Sequence, residues 1–414
     1  MMRTISLACM ATALLAAAVI AQEKELTPYQ KGTEAWRAAE QLRTQDPAQA
    51  LPAYEKFIAE FPHHPYASTA VLRMGDFYRS QKQADKAIAA YDRLVKEYPN
   101  ALSDKLGALF NKAAVLVNDV KDYKAGADIY ARLGTEYPGY TNAEACLYSV
   151  IDAYWRVPDY AACVKAVDAY LAAGVSQGAR ALQALDIQAR CYVNLGDMVA
   201  MQAALDQIAK RSEGAYMLGL AQRNVAGVLN QKQKSDEAAA QYLAASKVTC
   251  TGSAAADLYA GAGLLAQAKK YEEAVAAYRE YLNRFPQGYY AQYALLQIAG
   301  ISGNYLKDPA KQAAAYKELL ATYPNSIYAD QAYCGMGNAY RIMKNTEEAK
   351  AAFKTVYEKM PTSSLADAAL WMQADILRSE KDNEGARALY EKIIADYPGG
   401  SYVSGAEQRL QAMH

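Results

Sequence analysis

YDRLVKEYPN, from Tyr91 to Asn100, is a phrase this chain writes seven times. An aromatic residue opens it, apolar residues recur at helical spacing, and a second aromatic stands before a proline. Its companions are YEKFIAEFPH (54–63), YARLGTEYPG (130–139), YREYLNRFPQ (278–287), YKELLATYPN (316–325) and YEKIIADYPG (390–399). In FKTVYEKMPT (353–362), Met360 replaces the last aromatic. The phrase reads as a helix with its stop signal, since proline has no N–H to donate and clashes with the turn before it.

The prolines are Pro62, Pro99, Pro138, Pro286, Pro324, Pro361 and Pro398. They stand 37, 39, 148, 38, 37 and 37 residues apart, and 148 is four times 37. A fixed period of this size marks a stacked array. It predicts four hairpins between Pro138 and Pro286, with worn junctions near 175, 212 and 249, at AAGVSQG, KRSEGA and TCTGS.

Eight residues before each proline stands an aromatic: Tyr54, Tyr91, Tyr130, Tyr278, Tyr316, Phe353 and Tyr390. Twelve before are Ala50, Ala87, Gly126, Ala274, Ala349 and Ala386, with Gln312 the exception. Twenty-four before are Ala38, Gly75, Ala114, Ala262, Gly300, Gly337 and Ala374. Small residues on two helices let their backbones approach, and a ring fills the space beside them. Period-two alternation is absent. The fold expected is therefore all-α, a right-handed α-α superhelix of ten helical hairpins plus a capping helix. Hairpins 1–3 fall in 22–138, worn hairpins 4–6 in 139–252 and hairpins 7–10 in 253–398. Residues 399–414 form the cap that covers the open end of a stack. Ile151 and Gln188 stand where other hairpins have a small residue, so packing there should be less regular.

Asp46-Pro47 and Asp308-Pro309 read as an N-cap followed by a first-turn proline. Thr346 is expected to cap likewise. The acidic pairs Glu272-Glu273 and Glu347-Glu348 open second helices, where they complement the helix dipole.

Basic and acidic residues number 44 each, so no nucleic-acid or membrane-surface footprint is expected. At the N-terminus, Arg3 precedes an apolar run from Ile5 to Ile20, and Val19-Ile20-Ala21 offers small residues to a signal peptidase. Residues 1–21 are thus expected to be a signal peptide, and the mature protein to be secreted to the periplasm. A lipid anchor at Cys9 is opposed by the apolar stretch lying after that cysteine rather than before it.

The sequence offers little to catalysis. Three histidines make no Ser-His-Asp or Cys-His set, and His63-His64 lies in an inter-hairpin turn with no third metal ligand in view. TGSAAADLYAGAG (251–263) lacks the Lys-Ser/Thr ending of a phosphate loop. Cysteines 146, 163, 191, 250 and 334 have no metal-site spacing. Cys146 and Cys163 share a hairpin and have two readings: a disulfide in an oxidising compartment, or buried thiols acting as small apolar residues. No cofactor, no metal and no enzymatic activity are expected.

Gly75, Tyr78, Ala87, Tyr91 and Pro99 resemble the tetratricopeptide signature, as does the stretch from Met336 to Pro361. The likeness covers residues from about 28 to 398. It is weak where Ile151, Cys163 and Val167 take the marker positions and partly returns through Ala226, Ala238 and Tyr242. PNSIYADQA and PHHPYASTA look more narrowly like bacterial envelope proteins of that family, the Tol–Pal-associated cell-division coordinator and the outer-membrane assembly lipoprotein.

One first-helix face stands out, at 23, 20 and 27 residues before the proline. It carries Asp76, Arg79 and Leu72 in hairpin 2; Asn338, Arg341 and Cys334 in hairpin 9; and Asp375, Arg378 and Trp371 in hairpin 10. Hairpin 4 has Asp152, Trp155, Tyr148 and Arg156. In the family it resembles, this face lines the concave groove where partners bind, and exposed Trp and Arg are typical interface anchors. An Asp–Arg pair on a solvated face is the plainer reading, worth a few tenths of a kcal/mol. The function expected is a non-catalytic periplasmic scaffold that binds a protein or peptide in envelope assembly or maintenance. The alternative is a wall-associated factor whose rings stack on peptidoglycan or polysaccharide. Arg378, Arg341 and Trp371 would suit a carboxylate with an apolar neighbour.

Overall fold

A computed structural model describes residues 26–174, 178–211, 214–248 and 253–413. The expected signal segment, the worn junctions at 175–177, 212–213 and 249–252, Cys250 and His414 lie outside those ranges. The described residues form helices and turns, with no strand among them. The chain divides into two compact units, Met1–Gln177 and Gly178–His414.

The first unit holds four helix pairs: α1 (Pro28–Gln45) with α2 (Pro47–Glu60), α3 (Ala67–Ser80) with α4 (Ala84–Glu97), α5 (Leu102–Val115) with α6 (Tyr123–Glu136), and α7 (Ala143–Arg156) with α8 (Tyr160–Ala172). In the second unit α9 (Ala179–Leu195) pairs with α10 (Met198–Ala209), α11 (Gly214–Gln231) with α12 (Ser235–Ser246), and α13 (Ala254–Gln267) with α14 (Tyr271–Arg284). Three more pairs follow: α15 (Ala291–Asn304) and α16 (Pro309–Thr322), α17 (Ala329–Ile342) and α18 (Thr346–Lys359), and α19 (Ala366–Ser379) and α20 (Asn383–Asp396). A last helix, α21 (Val403–Gln411), packs on α20. Four helix pairs fill the interval from Pro138 to Pro286.

Each retained proline follows a residue that caps a second helix: Phe61, Tyr98, Tyr137, Phe285, Tyr323, Met360 and Tyr397. In the second unit two of these caps also tie neighbouring hairpins. Tyr323 Oη donates to the Pro286 carbonyl at 2.6 Å, and Tyr397 Oη to that of Pro361 at 3.1 Å.

Inside most hairpins the turn passes through one residue with positive φ. It is lysine six times: Lys82, Lys121, Lys269, Lys307, Lys344 and Lys381, with φ between 55° and 66°. Glycine usually takes this position, because a Cβ there costs about 1 kcal/mol. Lysine offers compensation at a helix C-terminus, where cations are favoured. Lys307 Nζ donates to the Asn304 carbonyl at 2.6 Å, and Lys121 Nζ likewise to Asn118. Each of the six lysines stands 17 residues before its proline. The extra residues of hairpins 3 and 8 therefore fall elsewhere. In hairpin 3 they lengthen the first helix, which ends in a π-turn over Leu116–Val120. In hairpin 8 the turn runs over 305–308, four residues rather than the three of 81–83.

All seven expected rings are buried, from 0% exposure at Tyr91 and Tyr390 to 7% at Tyr316. A Cβ on Gly75 would stand 2.5 Å from the Tyr91 ring, and one on Gly337 2.8 Å from Phe353. Three small-residue assignments shift by one. Hairpin 1 has a one-residue turn, Asp46, so buried Ala39 replaces exposed Ala38. The longer turn of hairpin 8 puts buried Ala299 where Gly300 was expected, and Tyr316 packs instead against Gly335 of α17. In hairpin 5 the small residue is Ala189, beside buried Gln188. Hairpin 4 keeps its register by exchanging sizes, with Ile151 where others have Gly or Ala and Val167 where others have a ring. Both are fully buried, so the volume is conserved.

Asp46 and Asp308 accept N-cap hydrogen bonds from Ala48 and Lys311. Thr346 instead opens α18, and Asn345 takes the cap position without a side-chain bond. Cys146, Cys163, Cys191 and Cys334 form no disulfide. Burial pushes the thiols of Cys146 and Cys334 up to about 12. Neither is expected to react measurably with a thiol reagent at pH 8 until the chain is unfolded, because the thiolate is the nucleophile. Alkylation followed by mass mapping, with and without urea, checks this.

Candidate first-helix interface

Within each unit the face singled out in the sequence forms a strip of polar side chains running from one first helix to the next. In the first unit it begins on α1. Tyr54 Oη donates to Glu40 at 2.6 Å, Arg43 pairs with Glu40 at 3.0 Å, and Arg73 of α3 approaches Glu40 at 3.8 Å. Burial alone would raise the Glu40 carboxyl, but hydrogen bonds from Tyr54 and Arg43 outweigh it and hold it below its ordinary value. On α3, Asp76 accepts from Tyr91 Oη at 2.9 Å and from Asn111 of α5 at 2.8 Å, and Arg79 donates to Asn111 at 3.0 Å. On α7, Arg156 pairs with Asp152 at 2.8 Å and reaches Asn118 at 3.4 Å. Tyr148 and Trp155 are half-buried, their rings edge-on to Tyr170 and Tyr160.

Glu40 and Arg43 are equivalent to Asp76 and Arg79 once the shorter turn of hairpin 1 is counted. Counting from the proline hid them.

In the second unit the strip is more deeply set. Asp186 of α9 is 6% exposed and accepts from Arg190 at 2.8 Å and from Asn224 of α11 at 3.1 Å. Burial raises its carboxyl, against the pull of Arg190 and Asn224. Arg223 of α11 forks onto Asp257 of α13, both bonds 2.7 Å, and Asp257 is 2% exposed. Asp186, Arg190, Arg223 and Asn224 lie in hairpins whose prolines are worn away, so no register pointed to them, and Asp257 stands 29 residues before Pro286, outside the positions counted.

Farther along, the strip loses its side chains. Gly227, Gly263 and Gly300 stand at the Asp76 position of α11, α13 and α15, once the longer turn of hairpin 8 is counted. A Cβ on Gly227 or Gly300 would meet nothing within 4 Å, and one on Gly263 only the Tyr278 hydroxyl at 3.5 Å. Mid-helix glycine costs about 1 kcal/mol against alanine. At Gly227 and Gly300 packing gives nothing back. Gly227→Ala and Gly300→Ala are each expected to stabilise the protein by about 0.5–1 kcal/mol, read as an upward shift of the urea midpoint.

Beyond the glycines, Asn338 and Arg341 return on α17, with Arg341 exposed. On α19, Arg378 bonds Asp375 at 3.1 Å. Trp371 is half-buried between the rings of Tyr390 and Tyr402, 5.4 and 5.5 Å away. A Cβ on Gly405 of α21 would lie 3.0 Å from it, and Arg409 sits over its ring at 5.8 Å. The last helix thus covers part of this indole. Among the described residues no group of three or more His, Cys, Asp or Glu could hold a metal ion, and no helix is long and apolar enough to cross a membrane.

The tetratricopeptide repeat family model matches residues 37–101, 231–289 and 334–401, and these stretches are tetratricopeptide repeats. Similar solved structures include Naa15/Naa10 bound to HypK-THB, 16% identical with a TM-score of 0.42. That match covers 90% of this chain, which spans 62% of the other chain's length. The APC/C hetero-tetramer Cut9–Hcn1 is 10% identical, covering 91% of this chain and 95% of that one, with a TM-score of 0.46. A tetratricopeptide repeat protein from Parabacteroides merdae is 14% identical, covering 72% and 100%, with a TM-score of 0.36. No curated protein sequence matches the chain.

Proposed function

We propose, for a chain that carries tetratricopeptide repeats, that it is a non-catalytic scaffold of the bacterial cell envelope that binds a protein partner along its first-helix face. Repeats of this kind generally mediate contacts between proteins. The observation that carries the reading is the row of bare glycines, Gly227, Gly263 and Gly300. Helix-interior glycine that no internal contact requires leaves room for another backbone to come close. The flanking polar groups are largely held by one another, as Asp186 is by Asn224 and Asp257 by Arg223. They form a rigid border. The secretory pattern of residues 1–21 supports placement outside the cytoplasm. Intact mass of the exported protein, expected to start at Gln22, tests that placement.

The partner is tested by capture from an envelope extract, with purified cell-wall sacculi as a parallel bait. Gly227→Gln, Gly263→Gln and Gly300→Gln together would fill the open face while raising helix propensity. The expected result is capture of one protein by the parent and its loss in the triple variant, with unchanged helicity. Capture that survives the triple variant, or binding to sacculi alone, refutes the proposal.

A further inference from the structure

At the end of the array the same polar joint recurs without its usual acceptor. In hairpin 2, Tyr91 Oη donates to Asp76, and Arg79 donates to Asn111 on the next first helix. Tyr390, Asp375 and Arg378 hold the equivalent positions in hairpin 10, 8, 23 and 20 residues before Pro398. Against α20, where the next first helix would pack, lies α21. It brings Arg409 to the cleft that Arg378 lines, together with Asn383, Glu384 and Arg387. Arg378 turns back to Asp375, and the buried Tyr390 hydroxyl is left without a hydrogen-bond partner. Arg409 rests on the Trp371 ring. A joint that elsewhere pairs a guanidinium with an amide here sets Arg378 and Arg409 at one cleft, beside an Arg387 that holds the Met413 carbonyl at 3.1 Å.

We infer that this terminal cleft receives a carboxylate from an acidic segment of a protein partner. The inference rests on the protein-binding reading above and names the chemistry of one contact. A guanidinium fork matches a carboxylate with two parallel hydrogen bonds. A carboxylate taken by Arg378 would release Asp375 to accept from Tyr390, restoring the arrangement of Tyr91 and Asp76. Glu384 in the lining, and Asp375 paired with Arg378, disfavour a dianion such as phosphate. Met413 gives the cleft an apolar side for a neighbouring residue.

The test is calorimetric titration of the full-length exported protein at low salt with hexaglutamate, hexaglutamine and inorganic phosphate. Hexaglutamate is expected to bind, and hexaglutamine not. Arg378→Gln with Arg409→Gln should weaken hexaglutamate at least tenfold. Arg132→Gln, on α6 beside Glu136 and away from both the cleft and the first-helix face, should leave it within twofold. Circular dichroism confirms that helicity is kept. Absence of hexaglutamate binding, unchanged affinity in the double variant, or phosphate binding as tight as the peptide's would each overturn the inference. A protein captured by the parent while hexaglutamate fails to bind would sink this inference alone. Peptide binding without any captured protein would sink the scaffold reading alone.

Discussion

Tyr91→Ala is expected to destabilise the first unit by about 4 kcal/mol, close to the largest loss any single side chain there can cause. The ring is fully buried against Gly75, and large-to-small changes at such sites cost about 3–5 kcal/mol. Collapse cannot close the gap, because Gly75 offers no side chain to fill it. The hydroxyl adds a smaller, separable contribution. Burial and the Asp76 carboxylate both push its ionisation far above the ordinary tyrosine value, so it acts as a donor throughout the working range. Tyr91→Phe keeps the ring and removes one bond to Asp76, which still accepts from Asn111. Its expected cost is about 1 kcal/mol. Stacked repeats do not always unfold in one step, so urea melts need hydrogen exchange to locate the loss. The effect should centre on residues 67–97. A loss under about 1.5 kcal/mol for the alanine variant would mean that the ring is not the packing keystone of its hairpin.

Arg223→Ala should cost the second unit about 3 kcal/mol or more. Asp257 is almost completely buried, and its carboxylate has both oxygens on the Arg223 guanidinium. Removing one partner of such a pair strands the other in a poorly solvating interior, at about 3–5 kcal/mol. Replacing both tells the two costs apart. Arg223→Met with Asp257→Leu removes the charge along with its partner and should recover stability to within about 1 kcal/mol of the parent. If the single and double variants are equally unstable, the pair is a packing element and the electrostatic account fails.

The repeat was legible because proline, ring and small residue recur at one period, and burial of all seven rings follows from it. What escaped came from turn length. A one-residue turn in hairpin 1, against the three residues of 81–83, moved the small position from Ala38 to Ala39 and concealed Glu40 and Arg43. One residue more in hairpin 8 moved it from Gly300 to Ala299. Counting back from a proline assumes a constant turn, and only the backbone shows where the turn differs. Asp186, Arg223 and Asp257 were invisible for another reason. Their joints link first helices 34 to 38 residues apart in sequence, and no local pattern marks such a partner. Asp76, Arg79, Asp152 and Arg156 were picked out from the sequence by their spacing on first helices. Their hydrogen bonds to Asn111 and Asn118 were not foreseen, because asparagine on a first helix looks like ordinary solvated text.

The 17-residue interval from each left-handed lysine to its proline has a meaning for how such a chain can change over generations. That interval sets the spacing at which one hairpin meets the next. Hairpins 3 and 8 carry added residues, and in both the addition lies before the lysine, where a π-turn or a longer connection takes it up. Small insertions are thus taken up in the first half of a repeat, while the interval after the lysine keeps its length. A gene that grows by copying whole units, and drifts in length only in their first halves, keeps the pitch of the stack while its binding face is free to vary.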